Sequence, residues 1–211
     1  MQIYIINLFV LGLNSLFYNV IKTKSKHAKK LFLSISIMQL LLILALRHYS
    51  IGIDIPNYLS FFRLTFYISN KHLLIHRFEI GYKFLNKLIG ILTDDIQLFL
   101  FFIAIICLIP VGRFIYKHSK MPFLSIFLYI GFNYFTFTFS GLRQAIAYGI
   151  ILISYDYIKN RKLAKFIIFI ILASLFHKSA LVFLPAYFLY KVKVNNKTIF
   201  SIIIFDLLLF A

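Results

Sequence analysis

SGLRQAIAYGIILISYDYIKNRKLAKFIIFIILASLFHKS, at residues 140–179, is the pattern from which the architecture of this chain can be predicted. Two apolar runs flank a basic cluster, and each run carries a costly ionisable residue, Arg143 near the start of the first and His177 at the end of the second. Apolar runs of this kind indicate helices at membrane depth. Because an ionisable side chain is costly to place there, Arg143 and His177 are candidates for function.

The composition of the whole chain is typical of an integral membrane protein. Hydrophobic residues occupy 62% of the 211 positions, and the mean hydropathy is +0.90. One soluble core could not bury so many apolar side chains. The formal net charge of +17 would suggest nucleic acid binding by a soluble protein. Here the cations lie in short runs between apolar runs, where membrane orientation and lipid headgroups account for them, so no nucleic-acid partner is expected.

The apolar runs predict an all-α, polytopic transmembrane helical bundle of about six to eight membrane segments, forming one integral membrane domain over residues 1–211. The lysine-rich run at residues 22–30 is expected to face the cytoplasm, which places the N-terminus outside. The chain stops within an apolar run, so we expect a longer protein. The predicted spans lie at residues 3–21, 31–46, 96–111, 122–139 and 142–157, with a hairpin of 166–176 and 180–190 and an incomplete span at 198–211.

Residues 166–190 allow two arrangements. A single helix would be long enough to span the membrane, but it would place the lysines of residues 191–197 outside, against the positive-inside rule. Two short helices that meet near His177, with Pro185 in the returning arm, avoid this conflict. We favour this broken hairpin because irregular backbone is tolerated at membrane depth where protein surrounds it. Both arrangements place His177 in the outer half of the membrane.

Residues 47–95 contain no clear spanning run and are predicted to form an outer-face loop that carries short amphipathic helices. The segment Gly52-Ile53-Asp54-Ile55-Pro56 supplies a turn glycine, a candidate N-cap and a proline suited to a first helical turn. A helix from residue 56 to about residue 66 is therefore expected. Apolar residues at helical spacing predict a second amphipathic helix near residues 78–89.

Three short blocks of this sequence follow one another in a characteristic order: Arg47 through Gly52-Ile53-Asp54 to Tyr58, then Phe78-Glu79-Ile80-Gly81-Tyr82, and then Ser140-Gly141-Leu142-Arg143-Gln144-Ala145-Ile146-Ala147 followed by Phe176-His177-Lys178-Ser179-Ala180. Together they resemble the EpsG family of bacterial membrane proteins, which is related to the Wzy-type polymerases of surface polysaccharides. The resemblance extends from residue 47 to about residue 190.

The resemblance implies a membrane glycosyltransferase that polymerises oligosaccharide repeat units, carried on polyprenyl pyrophosphate, into a surface polysaccharide such as an exopolysaccharide, capsule or O-antigen. It implies a multi-pass protein of the bacterial cytoplasmic membrane that works at the outer face. Its partners would be the lipid-linked glycan, membrane lipids and other polysaccharide assembly proteins. No cofactor or metal is expected, since the sequence contains no zinc spacing, phosphate-binding loop or dinucleotide glycine pattern.

Such a reaction needs a cation for the pyrophosphate and a base for the acceptor hydroxyl. Arginine suits the first task because its planar fork binds phosphate oxygens bidentately, so Arg143 is the first candidate and Arg47 the second. His177 could accept the proton or donate a hydrogen bond, and Asp54 or Glu79 could serve as the base or as a sugar ligand. Further candidates for substrate binding come from the matching blocks: Tyr58, Gln144, Lys178 and Ser179.

Each candidate also has a purely structural explanation. Arg143 could extend its charge to lipid headgroups, and His177 could belong to an interfacial pair at a helix end. Asp54 could cap a helix, and Glu79 could form a surface ion pair with Lys83. Other basic residues of the outer loop are expected to face headgroups: His72, His76 and Arg77.

Two other functions stay open at this point. A flippase or exporter of lipid-linked oligosaccharide could also use an arginine and a histidine within the membrane, but paired halves with corresponding broken segments would be expected. The sequence contains one candidate broken hairpin and no second copy, which favours the enzyme. A non-catalytic membrane scaffold is the third possibility, in which Arg143 and His177 only satisfy helix ends.

Overall fold

The computed structural model describes residues 2–192 and residue 195. Within these residues the chain forms helices and no strands, which confirms the predicted all-α class. The predicted incomplete span at residues 198–211 lies outside the described part. In chain order the helices are α1 (Gln2–Ile21), α2 (Ala28–Ala45), α3 (Ile55–Leu64), α4 (Asn70–Ile75), α5 (Ile80–Leu92), α6 (Ile96–His118), α7 (Pro122–Gly131), α8 (Tyr134–Phe137), α9 (Leu142–Lys159), α10 (Leu163–Ser174), a 3₁₀ helix (Lys178–Phe183) and α11 (Ala186–Leu189).

Helix α6 is the centre of the packing. Helices α2 and α9 pack against it, α1 packs on the outside of α2, and α10 packs on α9. Residues 98–112 of α6 are apolar all round, which is typical of a helix surrounded by other helices or by lipid. Its side chains at Leu100, Ile103 and Leu108 are almost completely buried.

Two of the described helices, α2 and α6, are long and apolar enough to cross a membrane. Helix α6 has 23 residues, which at 1.5 Å per residue exceeds the bilayer core of about 30 Å. Large apolar side chains such as Phe9, Leu16 and Ile168 are exposed, as expected where lipid covers the surface. The span count and orientation inferred from the sequence stay predictions. Shorter apolar helices occupy Ile5–Ile21, Pro122–Gly131, Leu163–Ser174 and Lys178–Leu189.

The segment 122–139 contains two helices where the sequence pattern predicts one span. Helix α7 ends at Gly131, and Asn133 adopts the left-handed conformation with φ 62° before α8 begins. Asparagine tolerates this conformation because its short polar side chain can bond locally. The hydrophobic pattern alone does not reveal this break, since the residues on both sides of it are apolar and aromatic.

Three basic connections lie at one end of the bundle. The ammonium of Lys29, in the first turn of α2, donates to the Ser119 carbonyl oxygen at 2.6 Å, beside the connection between α6 and α7. Lys117 pairs with Asp156 in the last turns of α9, with 2.6 Å between Nζ and Oδ2. Because α9 runs from residue 142 to this end, Arg143 lies at the opposite end of the bundle.

Residues 166–190 do not form a single helix. Helix α10 ends at Ser174, the chain turns through residues 175–177, and the 3₁₀ helix and α11 return alongside. The return brings Tyr187 next to the start of α10, where Arg161 Nη1 donates to the Tyr187 carbonyl oxygen at 2.7 Å. The Phe166 and Tyr187 rings stack with 5.5 Å between centroids. The tip of this hairpin therefore points toward the same end as Arg143.

Candidate functional site

The ends of three helical segments meet around Arg143. Arg143 is the second residue of α9, Glu79 immediately precedes α5, and His177 immediately precedes the 3₁₀ helix. The Gly81 N–H joins α5 to the turn that precedes His177 by donating to the Leu175 carbonyl oxygen at 2.8 Å. A Cβ atom at residue 81 would lie 2.8 Å from that oxygen, so this close approach requires glycine.

Arg143, Glu79 and His177 form a half-buried polar cluster, which we call the Arg–Glu–His cluster. Arg143 Nη1 makes an ion pair with Glu79 Oε2, and the other carboxylate oxygen, Oε1, lies 3.8 Å from His177 Nδ1. That ring nitrogen is buried and has no hydrogen-bond partner among the described residues. Glu79 therefore lies between a guanidinium and an imidazole, and it orients the Arg143 guanidinium through a charge-assisted hydrogen bond.

Two aromatic rings complete the surroundings of the Arg143 guanidinium. Its central carbon, Cζ, lies 4.8 Å from the centroid of the Phe78 ring and 5.9 Å from that of Tyr58. Its Nε atom lies 3.5 Å from the Tyr58 hydroxyl oxygen. Cation–π contacts of this kind hold a guanidinium against the protein. Arg143 is thus held inside the fold by a carboxylate and two rings, and it does not simply extend toward headgroups.

Arg143 also lines a polar cavity of about 310 Å³, at the lower end of the volumes typical of small-molecule sites. Asp54 lies in its wall and makes no capping hydrogen bond to α3. Its backbone is helical, with φ −90° and ψ −6°, whereas a capping residue usually has an extended backbone. The Asp54 carboxylate therefore does not serve as a cap of α3. The cavity is lined by Asp54, Asn57, Tyr58, Arg77, Phe78 and Arg143.

Comparison with protein-family models matches the EpsG family over residues 30–211, which is more than half of the chain. The chain belongs to the EpsG family. This match confirms the resemblance seen in the three sequence blocks. Together with the apolar helices, it indicates a polymerase-like membrane protein of polysaccharide biosynthesis. Comparisons with curated proteins and with solved structures give no match.

In this EpsG-family protein, Arg47 does not line the cavity and instead contacts the backbone before α9. Its side chain is buried, its Nη1 donates to the Phe139 carbonyl oxygen at 2.8 Å, and its guanidinium lies over the Phe139 ring. Nearby, the Ile53 N–H donates to Ser140 Oγ at 3.1 Å. These contacts join the residues that precede α3 to those that lead into α9.

Replacing Arg47 with methionine is expected to destabilise the protein by about 1–3 kcal/mol, because a buried charge-assisted hydrogen bond is lost. The measurement is thermal unfolding of the purified protein in detergent. The matched control is Arg63→Met, since Arg63 is an exposed arginine of α3 outside the cavity wall and should tolerate the change. Equal melting temperatures for the two variants would contradict the structural role of Arg47.

The remaining candidates divide between the cavity and its surroundings. Tyr58 lines the cavity beside Arg143. Gln144 donates its amide to the Tyr148 hydroxyl at 2.6 Å, on a side of α9 rotated about 100° from Arg143. Lys178 and Ser179 are exposed beside His177 and do not line the cavity. The structure thus gathers Arg143, Glu79, His177, Tyr58 and Asp54 at one end of the bundle, and it leaves Arg47 and Gln144 outside the cavity wall.

The surroundings of Glu79 differ from the surface ion pair that its spacing to Lys83 suggests. Glu79 pairs with Arg143, which follows it by 64 positions, and Lys83 is buried within α5. Sequence reasoning also missed two cavity residues, Asn57 and Arg77. A usable signal for Arg77 is its position directly before the block that begins with Phe78.

A larger groove of about 860 Å³ opens between α6, α7 and α9. It is lined mainly by apolar and aromatic side chains such as Phe114, Tyr129 and Leu152, without a lysine, an arginine or an acidic residue. Among the described residues, no group of three or more His, Cys, Asp or Glu side chains could hold a metal ion. Of these two cavities, only the smaller one around Arg143 is lined by arginine and carboxylate side chains.

Proposed function

We propose that this EpsG-family protein is a membrane glycosyltransferase that joins polyprenyl-pyrophosphate-linked oligosaccharide repeat units into an exopolysaccharide or related surface polysaccharide. The main observation in support is the polar cavity that is lined by both the guanidinium of Arg143 and the carboxylate of Asp54, which does not cap α3. Family membership supports the same reaction class. A cation and a base in one cavity are the two groups that such a transfer needs.

The orientation of the site follows from the basic connections. The lysine-rich connections between α1 and α2 and between α9 and α10 are proposed to face the cytoplasm, by the positive-inside rule. The cavity, at the opposite end, then opens to the outer face of a bacterial cytoplasmic membrane. A lipid-linked glycan would reach it there with its lipid chain in the bilayer and its sugars in water.

The transfer itself exchanges one bond for another. The oxygen of the acceptor sugar hydroxyl attacks the anomeric carbon of the donor glycan and forms the new glycosidic bond. The bond between that carbon and the pyrophosphate oxygen breaks, and the pyrophosphate leaves with the electron pair. The hydroxyl proton passes to a base. The protein must therefore stabilise growing negative charge on the leaving pyrophosphate and accept one proton.

Arg143 is the proposed ligand of the leaving pyrophosphate. Glu79 engages Nη1 of the guanidinium and the Tyr58 hydroxyl lies beside Nε, so the N–H groups of Nη2 and the second N–H of Nη1 are available for phosphate oxygens. We assign Glu79 and His177 to the positioning of Arg143, because neither lines the cavity and His177 Nδ1 lies beside Glu79. A fixed guanidinium stabilises developing charge without having to reorganise during the reaction.

Asp54 is the proposed base. Its carboxylate neither caps α3 nor forms an ion pair with any residue that the structure describes, in contrast to Glu79. It could thus accept a hydrogen bond from a sugar hydroxyl in the cavity. Tyr58 and Asn57 offer further hydrogen-bonding groups in the same wall. Lys178 and Ser179, exposed next to His177, are proposed to contact the part of the glycan that extends outside the cavity.

The Asp54→Asn variant is expected to reduce polymer formation about 100-fold or more, since general acid–base catalysis contributes about 10²–10⁴ to a rate. The variant should be expressed in a strain whose surface polysaccharide depends on this protein, with measurement of polymer length and of lipid-linked repeat units. Single repeats should accumulate at the outer face.

The control for this experiment is Asp94→Asn, because Asp94 is an exposed carboxylate outside the cavity wall. Both variants must reach the membrane in equal amounts. Normal polymer from the Asp54 variant would remove Asp54 from the mechanism. Accumulation of repeats on the cytoplasmic side would instead identify a transporter of the lipid-linked glycan.

A further inference from the structure

A second arginine, Arg77, lines the cavity that contains Arg143. The Cζ atom of Arg77 lies 5.4 Å from the centroid of the Phe78 ring, and that of Arg143 lies 4.8 Å from the same centroid. The two guanidinium carbons therefore cannot be farther apart than the sum of these distances. One aromatic ring thus holds two cationic groups within the reach of a single small anion.

The Phe78 ring is a rigid platform for these cations. It is buried, and it meets the rings of Phe61 and Tyr82 edge to face, with centroids 4.9 and 5.5 Å away. The turn before it is held by the Phe78 N–H, which donates to His76 Nδ1 at 3.4 Å. This acceptor must be unprotonated. Burial lowers the pKa of His76, and the charges of Arg77 and Lys83 lower it further, which favours the neutral ring.

The charges in the cavity favour an anion with more than one charged group. Arg77 is exposed and forms no ion pair with any residue that the structure describes, whereas Arg143 pairs with Glu79. Two guanidinium groups and one carboxylate, that of Asp54, lie in the cavity wall. One guanidinium matches the oxygens of a single phosphate in bidentate fashion, so the second phosphate of a pyrophosphate needs a second donor.

We propose that Arg77 and Arg143 each bind one phosphate of a lipid-linked pyrophosphate, so that the cavity selects pyrophosphate carriers over monophosphate carriers. This inference rests on the proposed function and adds a second binding residue to it. It also assigns a role to Phe78, which sets the spacing of the two guanidinium groups. The selected feature is the phosphate next to the lipid, which a monophosphate carrier lacks.

The test compares the binding of farnesyl diphosphate and farnesyl monophosphate to the purified full chain in detergent. Both probes share one lipid tail, so the ratio of their dissociation constants isolates the second phosphate. The wild-type protein should bind the diphosphate about 10- to 100-fold more tightly, the range of one charge-assisted hydrogen-bonding contact. Arg77→Ala should bring this ratio close to one and leave monophosphate affinity within about threefold of wild type.

Two further variants make the result specific. Arg77→Lys, which keeps a charge but lacks the planar fork, should give an intermediate ratio. Arg63→Ala, the removal of an exposed arginine outside the cavity wall, should leave the wild-type ratio intact.

Inorganic pyrophosphate is included as a separate probe and should bind more weakly than farnesyl diphosphate, since it lacks the tail. Equal affinity for these two probes would contradict a lipid-linked ligand.

The outcomes separate this inference from the function on which it rests. An unchanged ratio in Arg77→Ala, or an equal loss of affinity for both lipid probes, would overturn the role of Arg77. If Arg143→Ala still abolishes binding of both probes in that case, the proposed pyrophosphate site stands without Arg77. Wild-type protein that binds neither lipid probe, or Arg143→Ala protein that binds both normally, would overturn the site and the inference together.

Discussion

Arg143→Lys protein is expected to form polymer about 100- to 1,000-fold more slowly than wild type, the loss typical of removing one group that stabilises transition-state charge. Lysine keeps the positive charge but has no planar fork. It cannot pair with Glu79 and at the same time offer bidentate donors to a phosphate in the cavity. The contact between a flat guanidinium and the Phe78 ring is lost as well.

The measurement is the ratio of polymer to single lipid-linked repeats in a strain whose surface polysaccharide depends on the protein. Membrane levels of each variant must be matched. Arg63→Lys provides the control because Arg63 is exposed and lies outside the cavity wall. Glu79→Gln should fall between wild type and Arg143→Lys, since the guanidinium stays in place but is less firmly oriented. Normal polymer from Arg143→Lys would show that a positive charge alone is enough, which the proposed bidentate role does not allow.

Gly52→Ala should produce the largest loss of stability among simple substitutions near the site. Gly52 has φ +116°, a conformation that residues with a Cβ rarely adopt, and its added Cβ would overlap the Phe139 carbonyl oxygen. The backbone strain and the overlap together should cost about 3 kcal/mol. Because Phe139 leads into α9, the displacement should also move Arg143 and weaken binding in the cavity.

Thermal unfolding and farnesyl diphosphate binding of the purified Gly52→Ala protein test this expectation. The matched control is Gly12→Ala in α1, where an added Cβ meets no atom within 4 Å. There the substitution should be neutral or stabilising by up to about 1 kcal/mol, the difference in helix propensity between the two residues. Similar melting temperatures for the two variants would mean that the segment around Gly52 does not pack against Phe139 as described.

Much of the helical structure follows from local patterns. Long apolar runs predict α2 and α6, because a segment without charges is stable as a helix surrounded by protein or lipid. The candidates Arg143, His177 and Glu79 also come from the sequence: the first two because ionisable groups are rare at membrane depth, and the third from its block. The family itself can be predicted from the same blocks.

The contacts that each candidate side chain makes in the folded protein are harder to predict from the sequence. A spacing of four residues suggests Lys83 as the partner of Glu79, yet Glu79 pairs with Arg143, 64 positions away. Arg47 and Arg143 are equivalent candidates by residue type, but Arg47 binds the Phe139 carbonyl oxygen and Arg143 lines the cavity. Helical periodicity describes neighbours within one helix and contains no information about the turn or helix that packs against it.

Sequence patterns alone indicate a helical membrane protein of the EpsG family. They also identify Arg143 as a candidate functional residue, because an ionisable side chain is costly in an apolar segment. The tertiary structure adds Glu79 and His177 beside that arginine, places Phe78 beneath it and brings Arg77 into the same cavity. The free-energy cost of burying an ionisable side chain depends on the residue type and on the apolar segment around it, so the local sequence is enough to predict it. The cavity depends on how the start of α9, the turn before α5 and the hairpin tip pack together, because only long-range contacts such as the Gly81 to Leu175 hydrogen bond set their distances.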